Sequence, residues 1–168
     1  SGDRIAAAFA RAHGGPVWGM AGAASRAAGV DVALDLASLT ASGLVEAASR
    51  LPAIVRAYRT LLARVDRVRP RAAVLVDFSE FNTRLGVALR ARGVPVLRVV
   101  APQTWAWRPG RVKRLGDAAD RVATLFAFEV PALRAAGVDA HWVGHPAVEA
   151  PAVSRADART RLSLSPQA

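Results

Sequence analysis

The order of apolar and polar positions along the chain predicts helices alternating with strands. Ile5, Phe9 and the neighbouring alanines form an apolar stripe behind Asp3, a residue type that caps helices, so the first thirteen residues are predicted to be helical. Pro16 to Met20 is a short apolar run bounded by Gly14-Gly15 and Gly22, the mark of a buried strand. Residues 22–29 suit a short helix closed by Gly29, and residues 36–50 have helical character interrupted by Gly43, which points to a break or a close backbone approach. Pro52 opens the clearest helix. Ile54, Tyr58, Leu61, Val65 and Val68 recur at spacings of four and three, with arginines on the other faces, until Arg69-Pro70 ends it.

The run Ala72-Ala73-Val74-Leu75-Val76-Asp77 has no polar alternation, as in a parallel strand covered on both faces. A helix follows from Phe81 to Arg92, closed by Gly93, then a strand from Val94 to Val100. Beyond these come a short basic helix from Arg111 to Gly116, a strand from Val122 to Phe126, a helix from Val130 to Ala136 ended by Gly137, and a strand from Ala140 to Val143. Alternation of this kind predicts an α/β fold, a Rossmann-like, doubly wound parallel sheet. The chain opens directly on a helix, so a first strand is expected ahead of Ser1. After Pro146 the residues turn to alanine, proline and serine. The expected organisation is one domain over 1–146, then a linker and the start of a further domain over 147–168.

Composition narrows the classes. With 168 residues, 52% hydrophobic and 21% charged, the chain is globular. It has no cysteine, which excludes disulfides and thiolate metal sites. No apolar run approaches the ~18 residues of a membrane-spanning helix, and the first residues lack a signal-peptide layout. A cytoplasmic location is expected. The net charge is +10, from 23 basic and 13 acidic residues, and Lys113 is the sole lysine. Such a surplus attracts nucleic acid, phosphosugars or an acidic membrane face, although an alanine- and arginine-rich composition also follows from GC-rich coding.

Asp77 is the first candidate for chemistry. It stands where an apolar strand ends, and open α/β sheets bind ligands beyond the carboxyl ends of their strands. There it serves equally as a general base or as a cap for the next helix, with Glu80 nearby and Asn82 suited to orienting a hydroxyl. Ala101 to Arg114 holds two of the four tryptophans and packs Arg108, Arg111, Lys113 and Arg114 into seven positions. Flat apolar rings and bidentate cations suit an amphiphile with a phosphate head or stacked nucleic-acid bases, but on the residues alone tryptophans packed under the loop with a solvated basic face are favoured. Phe126-Ala127-Phe128-Glu129 is a strand end followed by a helix-capping acid, and His145 in Val143-Gly144-His145-Pro146 reads as structural. Phosphate-loop, dinucleotide, zinc-protease and serine-hydrolase motifs are all absent.

Several segments, in order, resemble the lipid-A-disaccharide synthases. Ser1-Gly2-Asp3 is similar to the end of their Gly-Glu-x-Ser-Gly-Asp opening, Trp18 to Gly22 to their second strand, and Ser42-Gly43-Leu44-Val45-Glu46 to Met-Gly-x-x-Glu. Val76 to Asn82 resembles Ile-Asp-x-Pro-Asp-Phe-Asn. Pro102-Gln103-Thr104-Trp105-Ala106-Trp107-Arg108 with Arg111-Val112 is the most specific match, and Phe128-Glu129 and Val143 to Pro146 follow in the expected order. Ser79 and Glu80 depart from the family's Pro and second Asp, Ser42 from Met, and Ala127 from Pro; these changes bear on acceptor positioning and leave Asp77 in place.

The resemblance implies the N-terminal, acceptor-side half of a GT-B glycosyltransferase lacking its first strand. Such enzymes transfer 2,3-diacylglucosamine from UDP to 2,3-diacylglucosamine 1-phosphate, with inversion and a β-1,6 bond, in lipid A biosynthesis. Asp77 would be the catalytic base. Ser1, Asp3, Gly43, Glu46, Asn82, Gln103, Trp105, Trp107, Arg108 and Arg111 would contact substrate. The UDP-diacylglucosamine donor would be held mainly by a C-terminal domain, so this chain alone would be inactive. No cofactor or metal is implied, nor any nucleic-acid partner. The enzyme would sit peripherally on the anionic inner-membrane surface. The alternatives are a non-catalytic acceptor- or lipid-binding module and, on charge and tryptophans only, a basic nucleic-acid-binding α/β domain.

Overall fold

The computed structural model describes residues 2–36, 51–101, 110–146, 148, 154–161 and 163. Its elements, in chain order, are α1 (Gly2–His13), β1 (Trp18–Ala21), α2 (Ala23–Ala27), β2 (Asp31–Asp35), α3 (Leu51–Val68), β3 (Ala73–Val76), α4 (Ser79–Arg90), β4 (Val96–Val99), α5 (Gly110–Ala118), β5 (Arg121–Thr124), α6 (Glu129–Ala135), β6 (Ala140–Trp142) and α7 (Arg155–Arg161). The predicted elements appear within a few residues of their expected bounds. The segment read as helical around Gly43 lies outside the described residues. β2 is an element the periodicity reading passed over. Val32 and Leu34 alternate with Asp31, Ala33 and Asp35, but five residues flanked by aspartates give a weak strand signal.

The chain adopts the parallel α/β architecture, with its described strands divided between two sheets. β1 pairs with β2, and β3, β4, β5 and β6 form a second sheet in sequence order. Every pairing is parallel. In the larger sheet Leu75 lies opposite Arg98, Arg98 opposite Val122, and Val122 opposite Ala140. Parallel neighbours need crossover connections, and α4, α5 and α6 supply them. Glycines at 29, 93 and 137 end α2, α4 and α6 with positive φ, where a side chain would be strained.

The core forms between the larger sheet and its helices. Leu85 and Leu89 of α4, Leu115 of α5 and Leu133 of α6 meet Val96, Val122 and Ala140 of the strands. α3 contributes Leu61 and Val65 from its apolar stripe. Trp18, Met20 and Leu34 bring the two-stranded sheet onto the same cluster. Arg64 of α3 strengthens that junction, stacking its guanidinium 4.6 Å from the Trp18 ring centre and pairing with Asp31.

Two contacts depend on single residues. Gly86 of α4 faces the carbonyl of Ala118 at the end of α5, where a β-carbon would come within 2.1 Å of that oxygen. Arg90 fastens the same junction, donating to the Gly116 and Asp117 carbonyls and pairing with Asp120. Asp3 of α1 caps α2. Its carboxylate accepts from the amides of Gly22 and Ala24, each at 2.8 Å, and from the Ser25 hydroxyl at 2.5 Å. Burial opposes the charge on Asp3, but these hydrogen bonds outweigh it and hold the carboxyl below its ordinary value of 3.8.

Gly86→Ala should destabilise the intact protein by about 3 kcal/mol, because neither backbone can retreat without repacking α4 on α5; denaturant unfolding measures this. Asp3→Asn should cost about 1 kcal/mol at neutral pH. Because the folded-state pKa is depressed, the charge-dependent part of that difference is fully present above pH 3.8 and fades as pH falls through the lower folded-state value. Unfolding curves of both proteins across the acid range test the sign.

Candidate active site

β3 ends in a turn that ordinary L-residues rarely adopt. Asp77 has φ 51° and Phe78 φ 45°, both in the left-handed region. Aspartate tolerates this conformation, whereas phenylalanine is strained in it. Two arrangements hold the turn. Asn82, buried in the second turn of α4, donates from Nδ2 to the carbonyls of Val76 at 3.1 Å and Asp77 at 2.8 Å. The Phe78 ring stacks on buried Phe81 at 5.2 Å, and Phe81 meets Tyr58 of α3 edge-on. The Asp77 amide donates to Val99 and fixes the turn to β4. Strain of this kind persists only where surroundings over-determine it.

The turn lifts the Asp77 side chain to the carboxyl rim of the sheet, where it is exposed. Asp77 is not the cap residue of α4: that position is Phe78, which makes no side-chain cap bond. α1 also begins at this point, since a β-carbon on Gly2 would lie 3.6 Å from Cβ of Asp77. The N-terminal ends of α1 and α4, the positive ends of their dipoles, thus flank one carboxylate.

Arg98 is the feature the sequence reading missed. It sits within β4 and is only 2% exposed. Its Nε reaches toward the Val100 carbonyl at 3.4 Å, so the side chain runs to the same rim. Among the described residues neither terminal guanidinium nitrogen has a hydrogen-bond partner. Burial pushes its pKa down to about 10, opposed by the nearby negative charge of Asp77, and the group stays protonated at neutral pH. A signal was present in Val96-Leu97-Arg98-Val99-Val100, an arginine inside a run otherwise fit for a strand buried on both faces.

The other candidates separate. The carboxylate of Asp3 is occupied by α2, which makes it a structural tie, and Asn82 holds the turn through backbone carbonyls and does not point a free amide at a ligand. Glu80 pairs with Arg84 at 3.5 Å and approaches Arg114 of α5 at 3.9 Å. Arg111 falls in the first turn of α5. Ser1, Gly43, Glu46, Gln103, Trp105, Trp107 and Arg108 lie outside the described residues. At the carboxyl ends of β5 and β6 an aromatic group gathers: Phe126 stacks on Phe128 at 5.5 Å and lies 5.5 Å from His145, while Trp142 is 61% exposed. Glu129 is buried and accepts the Phe126 amide, so it fixes the start of α6.

Comparison with known proteins gives this geometry a family. The family model for lipid-A-disaccharide synthetase matches residues 2–166. The chain is 38% identical over 151 residues to the lipid-A-disaccharide synthase of Geobacter metallireducens, covering 89% of this chain and 39% of that protein. It is 39% identical over 168 residues to the synthase of Myxococcus xanthus, covering 99% of this chain and 44% of the relative. For the Koribacter versatilis synthase the figures are 40% over 129 residues, 77% and 34%. The chain thus spans roughly two-fifths of the length of these relatives. It belongs to the lipid-A-disaccharide synthase family.

Proposed function

We propose that this chain forms the acceptor side of an inverting glycosyltransferase, which joins 2,3-diacylglucosamine from its UDP derivative to 2,3-diacylglucosamine 1-phosphate through a β-1,6 bond. The observation that carries the reading is the exposed carboxylate of Asp77, set at the ligand-facing rim by a strained turn. In the reaction Asp77 removes the proton from the acceptor's 6-hydroxyl while that oxygen attacks the anomeric carbon. The bond from that carbon to the UDP phosphate oxygen breaks, and UDP leaves with the electron pair. Asn82 keeps Asp77 in place, one step removed from the reacting atoms. Since the chain spans roughly two-fifths of its relatives, we assign donor binding to a second, C-terminal domain of the GT-B type, following residues 1–146 and a linker. On that assignment these residues alone do not turn over.

The basic surplus fits work at a membrane surface. Among the described residues no helix is long and apolar enough to cross a membrane. A charge of +10 draws the protein toward an anionic inner leaflet, at about 1 kcal/mol per well-placed basic residue. The exposed Phe126, Phe128 and Trp142 offer apolar surface for acyl chains.

Asp77→Asn in the intact enzyme should lower transfer at least a hundredfold, the lower end of general-base contributions, with the unfolding midpoint unchanged. Turnover within a few-fold of wild type removes Asp77 as the base. Arg108→Ala and Arg111→Ala should each weaken binding to acceptor or to anionic vesicles by about fivefold, the equivalent of one phosphate-directed charge. Unchanged affinity for both ligands, measured by co-sedimentation and calorimetry, assigns these arginines to a solvated face.

A further inference from the structure

The proposed base chemistry gives Arg98 no task, yet its placement demands one. A guanidinium has five N–H donors in a planar fork. Here it is 2% exposed, and among the described residues its two terminal nitrogens bond to nothing. Buried polar groups are nearly always satisfied, and those that are not call for an explanation such as a ligand. Arg64, whose Nε is also unpartnered, already has an ion pair with Asp31 and the Trp18 ring. Arg98 has neither. An apolar residue would serve β4 better if packing were the only requirement.

Its surroundings suit an anion. The side chain runs toward the carboxyl end of β4, and β3, the adjacent strand, delivers the N-terminus of α4 to the same rim. Among the described residues the N-cap residue of that twelve-residue helix, Phe78, makes no side-chain cap bond, which leaves the first-turn amides to an oxyanion. Gly2 places the start of α1 against Asp77 as well. The carboxylate of Glu80, which would repel an anion there, is directed to Arg84 and Arg114.

We propose that Arg98, together with the uncapped first turn of α4, forms an anion seat at the carboxyl rim that takes a phosphate group of the substrate by bidentate hydrogen bonding. The seat lies beside Asp77 and is not part of the base. It rests on the transferase reading only for the source of the phosphate, either the sugar 1-phosphate of the acceptor or the diphosphate of the UDP donor. Arginine is suited to this role where lysine is not, because its fork matches two phosphate oxygens at once.

The test titrates the intact protein and its Arg98→Met and Arg98→Lys variants with inorganic pyrophosphate, with UDP, and with diacylglucosamine 1-phosphate beside the same lipid lacking its phosphate. Arg98→Met should weaken pyrophosphate binding at least tenfold, and binding of one phosphorylated ligand at least thirtyfold, while the phosphate-free lipid stays within twofold. Whichever of UDP and the lipid phosphate loses affinity identifies the source. Arg98→Lys should lose at least fivefold for that ligand and stands in should the methionine variant not fold. Affinities within twofold of wild type for all three phosphorylated probes overturn the seat, as does an equal loss for the phosphate-free lipid. A weakened pyrophosphate affinity alongside a fully active Asp77→Asn enzyme would retain the seat and reject the base; the opposite pair of results would do the reverse.

Discussion

The structure depends on the left-handed turn at the end of β3. Two successive residues have positive φ, and the phenylalanine among them costs on the order of 1–2 kcal/mol. Asn82 offsets this by donating to the carbonyls on either side of the bend, and the Phe78–Phe81 stack fixes the ring that would otherwise relax the backbone. If the turn relaxed to an ordinary conformation, Asp77 would leave the rim, and the start of α4 would shift against β4. One buried amide therefore links the strand, the helix and the candidate base.

Around that turn the distribution of charge is uneven. Most of the described ion pairs are exposed, including Arg26–Asp35, Arg84–Glu80 and Arg121–Asp139, and such pairs contribute little to stability. Arg90 and Asp120 are exposed too, but they tie elements together: Arg90 binds the end of α5, and Asp120, which also accepts the Val96 amide at 2.7 Å, anchors the start of β4. The rim is different again. It combines one exposed carboxylate, two helix N-termini and one buried, hydrogen-bond-poor guanidinium. These groups do not neutralise one another through direct contacts, an arrangement that lowers stability and suits a ligand-binding surface.

Family membership and geometry support the functional reading at different levels. The match over residues 2–166 and identities of 38–40% to synthases establish the family. They leave the role of each residue to physical argument. Asp3 illustrates the difference. It falls in a segment similar to the family's opening motif, yet its carboxylate is committed to the amides at the start of α2. It shapes the rim by joining α1 to α2, and its oxygens accept the Gly22 and Ala24 amides and the Ser25 hydroxyl.

The sequence by itself determined the parallel α/β class, most element positions and the candidate base. These follow from local rules: apolar runs without alternation make covered strands, four-and-three spacing makes the α3 stripe, and glycines close helices. β2 escaped because five residues between aspartates give too short a pattern. The tertiary structure alone decided what surrounds Asp3, Asn82 and Arg98. Each is a polar residue whose role is set by partners brought to it, or withheld, by elements distant in the chain. Asp3 meets amides about twenty residues away, and Asn82 meets carbonyls across a strained turn. Arg98 is carried by its strand into a buried position where, among the described residues, its terminal nitrogens find no acceptor. Hydrophobic periodicity encodes which face of an element is buried; it does not encode which polar group will be there to answer another.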